Sequence, residues 1–377
     1  MKKQWLCWTL AAAGAGSAWA DVEVAAGVKL YGVLDQAVQQ QELIDPTSTA
    51  ASSKYVGMFA AGATSRLGVK GSRELSGGSK AYIQVELELK PDTPKGGVIN
   101  ALANRGTFVG LDSAMGTVRL GTQETMAYET FAMDANGRTE YKPQLWRLTQ
   151  TQGDSKSQGD RAGNSVKYIT PEFQGFTGHF LFALGEGNKR YQSLAVKYQQ
   201  DKFKAVLVRD ITENVEAKIC FPGRNCTDGV AKDTSQITST TDKALKWGGS
   251  ATDKLFRNIA AASYDFGYAT ANYIYAQAYT VGNAGSLTTN TLGLRIPLDS
   301  LTLAVSYGMG TLDASSTSTA LDANLTDTTI GAYYAFDKST TAYFVGSITS
   351  IGKQGSSLSS GQTGYVNTAN IGLQYKF

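Results

Sequence analysis

Lys80-Ala81-Tyr82-Ile83-Gln84-Val85-Glu86-Leu87-Glu88-Leu89-Lys90 alternates without a break. Ala81, Ile83, Val85, Leu87 and Leu89 fall on one face of an extended chain, and Lys80, Tyr82, Gln84, Glu86, Glu88 and Lys90 on the other. A period of two is the signature of a strand with one apolar and one polar side. The pattern repeats in both directions. It opens at 28–38 and 66–70, continues at 105–111, 117–122, 165–171, 178–184, 192–198 and 203–210, and fills the second half at 259–266, 271–279, 291–298, 301–309, 329–336, 342–348 and 371–377. With 80–90 this makes sixteen candidate strands. Past residue 21 no window sustains a 3.6-residue apolar period, and no apolar run is long enough for a membrane-spanning helix.

The connections alternate short and long. Short turns fall at 76–78, 112–115, 174–175, 200–201, 267–268, 299–300 and 337–338. Longer polar segments fall at 39–64, 91–103, 123–163, 185–190, 211–255, 281–288, 311–326 and 351–364. Short turns on one side and long loops on the other are the asymmetry of an outer-membrane barrel.

Composition agrees once it is read through the alternation. The chain of 377 residues has 41 Gly, 7 Pro and a single His, with 35 basic residues nearly matched by 32 acidic ones. Apolar content is too high and net charge too low for disorder, and the charge balance gives no nucleic-acid footprint. Mean hydropathy is slightly negative, as expected when half of each strand and all loops face water. The scarcity of proline suits a ladder with few free edges.

Residues 1–20 read as a cleaved secretory signal peptide: Lys2 and Lys3, an apolar core from Trp5 to Ala13, and Ala18-Trp19-Ala20 before Asp21. Its loss removes Cys7 and lowers the formal charge from +3 to +1. Cys220 and Cys226 remain, separated by turn-forming Pro222, Gly223 and Asn225. A local disulfide in an exposed loop is the favoured reading over a metal site, which needs more ligands than the neighbourhood supplies.

A β-sandwich is the serious architectural rival. Against it, aromatic residues recur on the apolar face near the turns: Tyr264 with Phe266, Tyr334 with Phe336, Phe180 with Phe182, and Tyr375 with Phe377. Aromatic girdles at strand ends belong at a headgroup interface. The opposite face is too polar for a dry core and suits a water-filled lumen. Lipid cannot satisfy backbone polar groups, so a spanning sheet must close on itself. The expectation is an all-β, 16-stranded antiparallel transmembrane β-barrel over 21–377, with short periplasmic turns and long outer loops, integral to the outer membrane.

At this point the chain resembles the general Gram-negative porins of the β-proteobacterial type. The resemblance runs through Leu30-Tyr31-Gly32 with Asp35, Ser65-Arg66-Leu67-Gly68-Val69-Lys70-Gly71, Phe108-Val109-Gly110-Leu111, and Gly116-Thr117-Val118-Arg119-Leu120-Gly121. Asn164-Ser165-Val166-Lys167-Tyr168, Pro171-Glu172-Phe173 and the terminal Phe377 complete it. It covers essentially the whole mature chain. It implies a homotrimer of sixteen-stranded barrels, each with its own diffusion pore. It also implies that the loop after the fifth strand, 123–163, folds into the lumen as the constriction. Tyr375 and Phe377 resemble the signal read by the outer-membrane assembly machinery. Two departures stand out: Gly121-Thr122-Gln123 replaces the family's Gly-Arg-Gln, and Phe131-Ala132-Met133-Asp134-Ala135-Asn136-Gly137 replaces a compact Pro-Phe-Gly turn.

Alternation assigns the pore lining. With Leu67 and Val69 outward, Arg66 and Lys70 face the lumen. With Phe108 outward, Arg105 and Thr107 do. With Val118 and Leu120 outward, Arg119 does. Arg66, Arg105 and Arg161 also resemble positions of the family's arginine wall. Opposite them the 123–163 segment supplies Glu124, Glu129, Asp134, Glu140 and Asp154. Facing rows of charge set ion selectivity and a transverse field. Asp35 and Lys29, also on the lumen face, could pair with the wall or mute it.

The expected function is passive diffusion of small hydrophilic solutes and ions with a weak anion preference. The alternatives are a channel specific for a sugar or small organic acid, with inward Tyr31, Tyr82, Tyr333 and Tyr343 as its aromatic path, and an adhesin-like barrel acting through the 211–255 loop. Catalysis is disfavoured. His179, the only His, reads as a solvated inward side chain, and neither a nucleophile elbow nor a phosphate-binding loop occurs. Outer-membrane lipid and lipopolysaccharide are the expected surroundings, with no cofactor, no metal and no nucleic-acid partner.

Overall fold

Each alternating run forms one strand of a single closed sheet. The computed structural model describes residues 22–25, 27–44, 53–59, 62–91, 105–137, 160–185, 190–213, 217–219, 245–248, 254–281, 285–313, 322–353 and 364–377. The signal segment 1–20, Glu140, Asp154, Cys220, Cys226 and most of the 211–255 loop lie outside these residues.

The sixteen staves are β1 (Val28–Ile44), β2 (Arg66–Glu74), β3 (Lys80–Glu88), β4 (Thr107–Ser113), β5 (Gly116–Glu124), β6 (Arg161–Ile169), β7 (Phe176–Ala183) and β8 (Tyr191–Gln200), followed by β9 (Phe203–Glu213), β10 (Lys254–Asp265), β11 (Thr270–Val281), β12 (Ser286–Leu298), β13 (Leu301–Asp313), β14 (Ala323–Ala335), β15 (Thr340–Lys353) and β16 (Gly364–Lys376). Every neighbouring pair is antiparallel, and β16 returns to pair with β1 from Val33↔Lys376 to Ile44↔Tyr365. That closure leaves no unpaired edge to face lipid. Short strand Ser53–Phe59 extends β2 along the upper part of β1, and Val22–Ala25 folds back on the start of β1. Among the described residues no helix is long and apolar enough to cross a membrane; strands do the crossing.

The short turns are built as their sequences demand. Gln174 and Gly175 both adopt positive φ between β6 and β7, and Asp201 and Asp299 do so in the β8–β9 and β12–β13 turns. Such left-handed positions match the twist of flanking strands in tight hairpins. At the β14–β15 turn the Asp337 carboxylate accepts the backbone N–H groups of Ser339 and Thr340, both at 2.7 Å. These two bonds hold its carboxyl below the usual carboxylate range.

Outward faces carry the apolar band. Leu207, Leu292, Ile330 and Ile371 are all exposed on the outer surface, as a lipid-facing wall requires. Tyr264, Phe266, Tyr334, Phe336 and Tyr375 are exposed near the short-turn end, where the aromatic girdle was expected. On β8–β11, however, the inward face is apolar too: Ala195, Val206, Val208, Ile259, Ala261, Ile274 and Ala276 are buried. The expectation of a uniformly polar inner face fails there, because part of the barrel interior is a dry core.

Candidate functional site

What fills that core is the segment after β5. Thr125 caps the short helix α1 (Met126–Glu129), its hydroxyl accepting the Tyr128 N–H at 3.2 Å. A 3-10 turn, Thr130–Met133, continues it. Met126, Ala127, Tyr128 and Phe131 pack on the apolar inner faces of β8–β11. The chain then runs on around the wall. Arg295 of β12 donates to the Ala135 carbonyl at 3.0 Å, and Asn136 donates to Ser306 of β13 at 3.0 Å. Tyr333 of β14 donates to the Asn136 carbonyl at 3.4 Å. Residues 125–137 therefore lie inside the barrel, as the resemblance implied.

One carboxylate locks the helix to the wall. Glu129 accepts a salt-bridged hydrogen bond from Lys167 of β6 and another from Lys197 of β8 at 2.5 Å. Lys167 is only 1% exposed. Burial pushes the Glu129 carboxyl up, but the two ammonium groups outweigh it and hold it well below the usual value. His179 lies in the same neighbourhood, buried and bonded at 3.1 Å to Thr177. It is inward as expected, yet enclosed rather than solvated.

The basic residues expected on the inner wall each have partners. Arg105 Nε donates to Glu86 at 2.6 Å, and Arg66 Nε lies 3.4 Å from the same carboxylate. Tyr31 donates to it as well, at 3.0 Å. Arg119 donates to the Tyr82 hydroxyl at 2.8 Å and lies over the Phe108 ring. Lys70 sits over the Tyr31 ring at 5.1 Å. Arg161, at the junction of β6 with the inserted segment, is 3.8 Å from Glu124 and stacks on Tyr128.

Three assignments need correction. Phe108 faces the lumen, not lipid: Val109 and Leu111 beside it are 50% and 44% exposed, and its ring meets inward-facing Tyr82 edge-on. Arg105 still reaches the lumen because it precedes the first residue of β4 and escapes that strand's alternation. Asp35 is not a free lumen charge. Its carboxylate accepts the N–H groups of Gly62 and Ala63 at 3.1 Å, the Tyr343 hydroxyl at 2.6 Å and the Gln374 amide at 2.9 Å. It anchors the 62–65 segment against β1, β15 and β16. The described acids of the inserted segment, Glu124, Glu129 and Asp134, are each engaged rather than forming a free row facing the arginines. Glu124 pairs with Arg161, Glu129 with the two lysines, and the Asp134 carboxylate accepts the Asn136 N–H at 2.8 Å.

The inward tyrosines are structural fittings of the wall. Tyr31, Tyr82 and Tyr343 each lie flat over the glycine paired with them on the next strand: Gly68, Gly110 and Gly372. A Cβ at any of the three glycines would stand 2.3 Å from the tyrosine Cζ. Glycine in a strand interior marks this kind of close approach.

Sequence reasoning did not single out Glu86, Lys167, Lys197, Arg295 or the buried Asp210–Arg257 pair, whose atoms lie 3.6 Å apart. The signal was available for the first three: outward Val85, Val166 and Val196 place each of them inward. Among the described residues no group of three His, Cys, Asp or Glu could hold a metal.

The comparisons agree with this geometry. The family model of the Gram-negative porins matches residues 8–348. The chain is 30% identical over 210 residues to the major outer membrane protein P.IB of Neisseria gonorrhoeae, covering 54% of this chain and 56% of that one. It is 32% identical over 188 residues to the outer membrane porin protein 32 of Delftia acidovorans, covering 47% and 48%. The chain thus spans about half the length of these curated relatives. The anion-selective porin from Comamonas acidovorans shares the fold, with a TM-score of 0.68 at 21% identity over 93% of this chain and 99% of that one. A closed sixteen-stranded barrel with an apolar outer band, an inserted segment after its fifth strand and a family match over nearly its whole length places this chain in the Gram-negative porin family of the outer membrane.

Proposed function

We propose that the barrel is a water-filled channel through which small hydrophilic solutes and ions diffuse passively, with a weak preference for anions. The observation that carries this reading is the pairing stoichiometry of the inner wall. Two guanidinium groups, Arg66 and Arg105, both contact the carboxylate of Glu86. Two ammonium groups, Lys167 and Lys197, share Glu129. Each of these two carboxylates thus faces two cations, and Arg119 and Arg295 donate to neutral groups, the Tyr82 hydroxyl and the Ala135 carbonyl. Excess positive charge along a pore favours anions, and partial neutralisation keeps the preference weak.

The constriction in this reading lies between the 125–137 segment and the strands carrying Arg66, Lys70, Arg105 and Arg119. The described part of the segment packs on the inner faces of β8–β11 and bonds to β12 and β14. Diffusion rather than catalysis is the work of such a site, since its charged groups are paired or stacked into the wall. A homotrimer is the matching assembly, and Tyr375 and Phe377 are the element read by the outer-membrane assembly machinery. Phe377 packs against Gly32 and exchanges backbone hydrogen bonds with it at 2.8 and 3.1 Å.

A solute-specific channel is the second reading, suggested by inward tyrosines, but Tyr31, Tyr82 and Tyr343 are flattened on glycines and give their hydroxyls to fixed partners. Liposome swelling with sugars of increasing size separates the two. The proposal expects rates that fall smoothly with size; a rate that saturates for one solute class overturns it.

A further inference from the structure

One guanidinium of the inner wall keeps an open edge. Val118 and Leu120 are exposed on the outer surface, so Arg119 between them projects inward from β5. Its Nε donates to the Tyr82 hydroxyl at 2.8 Å. Its Cζ lies 5.0 Å from the Phe108 ring centre and 5.6 Å from that of Tyr82. Those two rings meet edge-on. Two aromatic walls and one hydrogen bond therefore fix the guanidinium plane. The bond uses Nε and leaves the Nη1–Nη2 edge unspent. Among the described residues nothing accepts from that edge, and no carboxylate lies within ion-pair reach of it.

The other arginines described on the inner wall differ. Arg66 and Arg105 meet Glu86, Arg161 meets Glu124, Arg257 faces Asp210, and Arg295 donates to the Ala135 carbonyl. The charged neighbours of Arg119 are also committed. Lys167, directly opposite on β6, is bound to Glu129, and Asp112 accepts the Thr117 hydroxyl at 2.7 Å. Like charges directly opposite each other on neighbouring strands are destabilising, and Arg119 with Lys167 is such a pair.

The open edge offers shape as well as charge. Two N–H groups in one plane match the two oxygens of a carboxylate and form parallel hydrogen bonds with it. A halide is a sphere and gains nothing from the plane. We propose that Arg119, held flat by Tyr82 and Phe108, determines a discrimination among anions: solutes that carry a carboxylate pass in preference to halide of the same charge. Tyr82 and Phe108 act through Arg119 as positioning residues. The contact is made in lumen water, so it is weak enough to release the solute. The proposal rests on the reading of the barrel as an anion-preferring channel, and adds a selection that net charge alone does not supply.

Planar-bilayer reversal potentials test it, with potassium formate on one side and potassium chloride on the other. Corrected for free-solution mobilities, wild type is expected to pass formate about two- to fivefold better than chloride, the range that exposed ion pairs supply. Arg119→Lys keeps the charge and loses the fork. It should hold the wild-type reversal potential in a potassium chloride gradient while its formate advantage disappears. Tyr82→Phe keeps the ring but releases the guanidinium, and should lose part of the advantage. Single-channel conductance in potassium chloride shows that each variant is folded and open. A wild-type formate-to-chloride ratio no larger than the mobility ratio overturns the proposal. So does an Arg119→Lys variant that keeps the advantage, because charge rather than shape would then be the determinant. A wild-type preference for potassium over chloride defeats the anion-channel reading and the proposal with it, whereas loss of formate discrimination alone leaves that reading standing.

Discussion

Replacing Glu129 by Gln tests how the inserted segment is held. The carboxylate is the shared partner of Lys167 and Lys197, and the three side chains are 13%, 1% and 15% exposed. Gln keeps the size and removes the charge, leaving two ammonium groups facing each other in a largely dry pocket. Removing one partner of a buried ion pair typically costs ~3–5 kcal/mol. The opposing quantity is the burial of Met126, Tyr128 and Phe131 on the wall of β8–β11. At ~1.5–3 kcal/mol each, these contribute on the order of 5–9 kcal/mol. The apolar term is larger, so the segment remains seated in the variant and mean conductance is retained. Transient opening, however, becomes more frequent by roughly 10²- to 4 × 10³-fold, at 1.4 kcal/mol per factor of ten. Amide hydrogen exchange over 126–133, followed by mass spectrometry in detergent, reads this directly. Glu124→Gln is the control. Its pair with Arg161 is longer, at 3.8 Å, and 15% and 27% exposed, so its exchange should change by less than about fivefold. If Glu129→Gln exchanges like wild type, or like the control, the ion-pair lock is not what holds the segment.

Three further outcomes are expected. Glu86→Gln should shift the reversal potential in a salt gradient toward stronger anion preference, because Arg66 and Arg105 lose their shared counter-charge; Arg66→Gln should shift it the opposite way. Gly110→Ala places a Cβ 2.3 Å from the Tyr82 ring and displaces the hydroxyl that Arg119 holds; a loss of about 1–3 kcal/mol is expected from guanidinium unfolding, while Tyr82→Phe, which keeps the ring, should lose less. The Glu129 lock should be insensitive to mild acid. A depressed carboxyl contributes fully above the ordinary value of 4.5 and is lost only as pH falls through the lowered value, so exchange protection over 126–133 should be the same at pH 7 and pH 5.

The strand count was legible because lipid imposes a simple rule on one face of every stave. At Lys80–Glu88 the rule is visible residue by residue. It fails where the other face is apolar as well. Val206 and Val208 flank outward Leu207, and only the docking of Met126, Tyr128 and Phe131 gives that second apolar face its meaning. Local alternation alone leaves open which parity of the Phe108 strand faces lipid; its pairing, Arg119 with Gly110 and Gly121 with Phe108, turns Phe108 inward. Asp35 could be placed on the inner face by alternation, but not given its task. Tyr343 and Gln374, which bind it, are 308 and 339 residues away in the chain. Charge partnerships across a closed sheet depend on register around the whole barrel, and local sequence carries little of that. The sixteen staves follow from local periodicity; the state of each charge in the lumen follows from closure.

A conducting lumen in which Glu86 and Glu129 each face two cations should pass chloride somewhat better than potassium. The most direct test is a planar-bilayer recording of the purified protein under a potassium chloride gradient. Stepwise insertion of open channels is expected, with a small reversal potential of the sign set by chloride. An absence of conductance, or a reversal potential approaching the potassium limit, would contradict it.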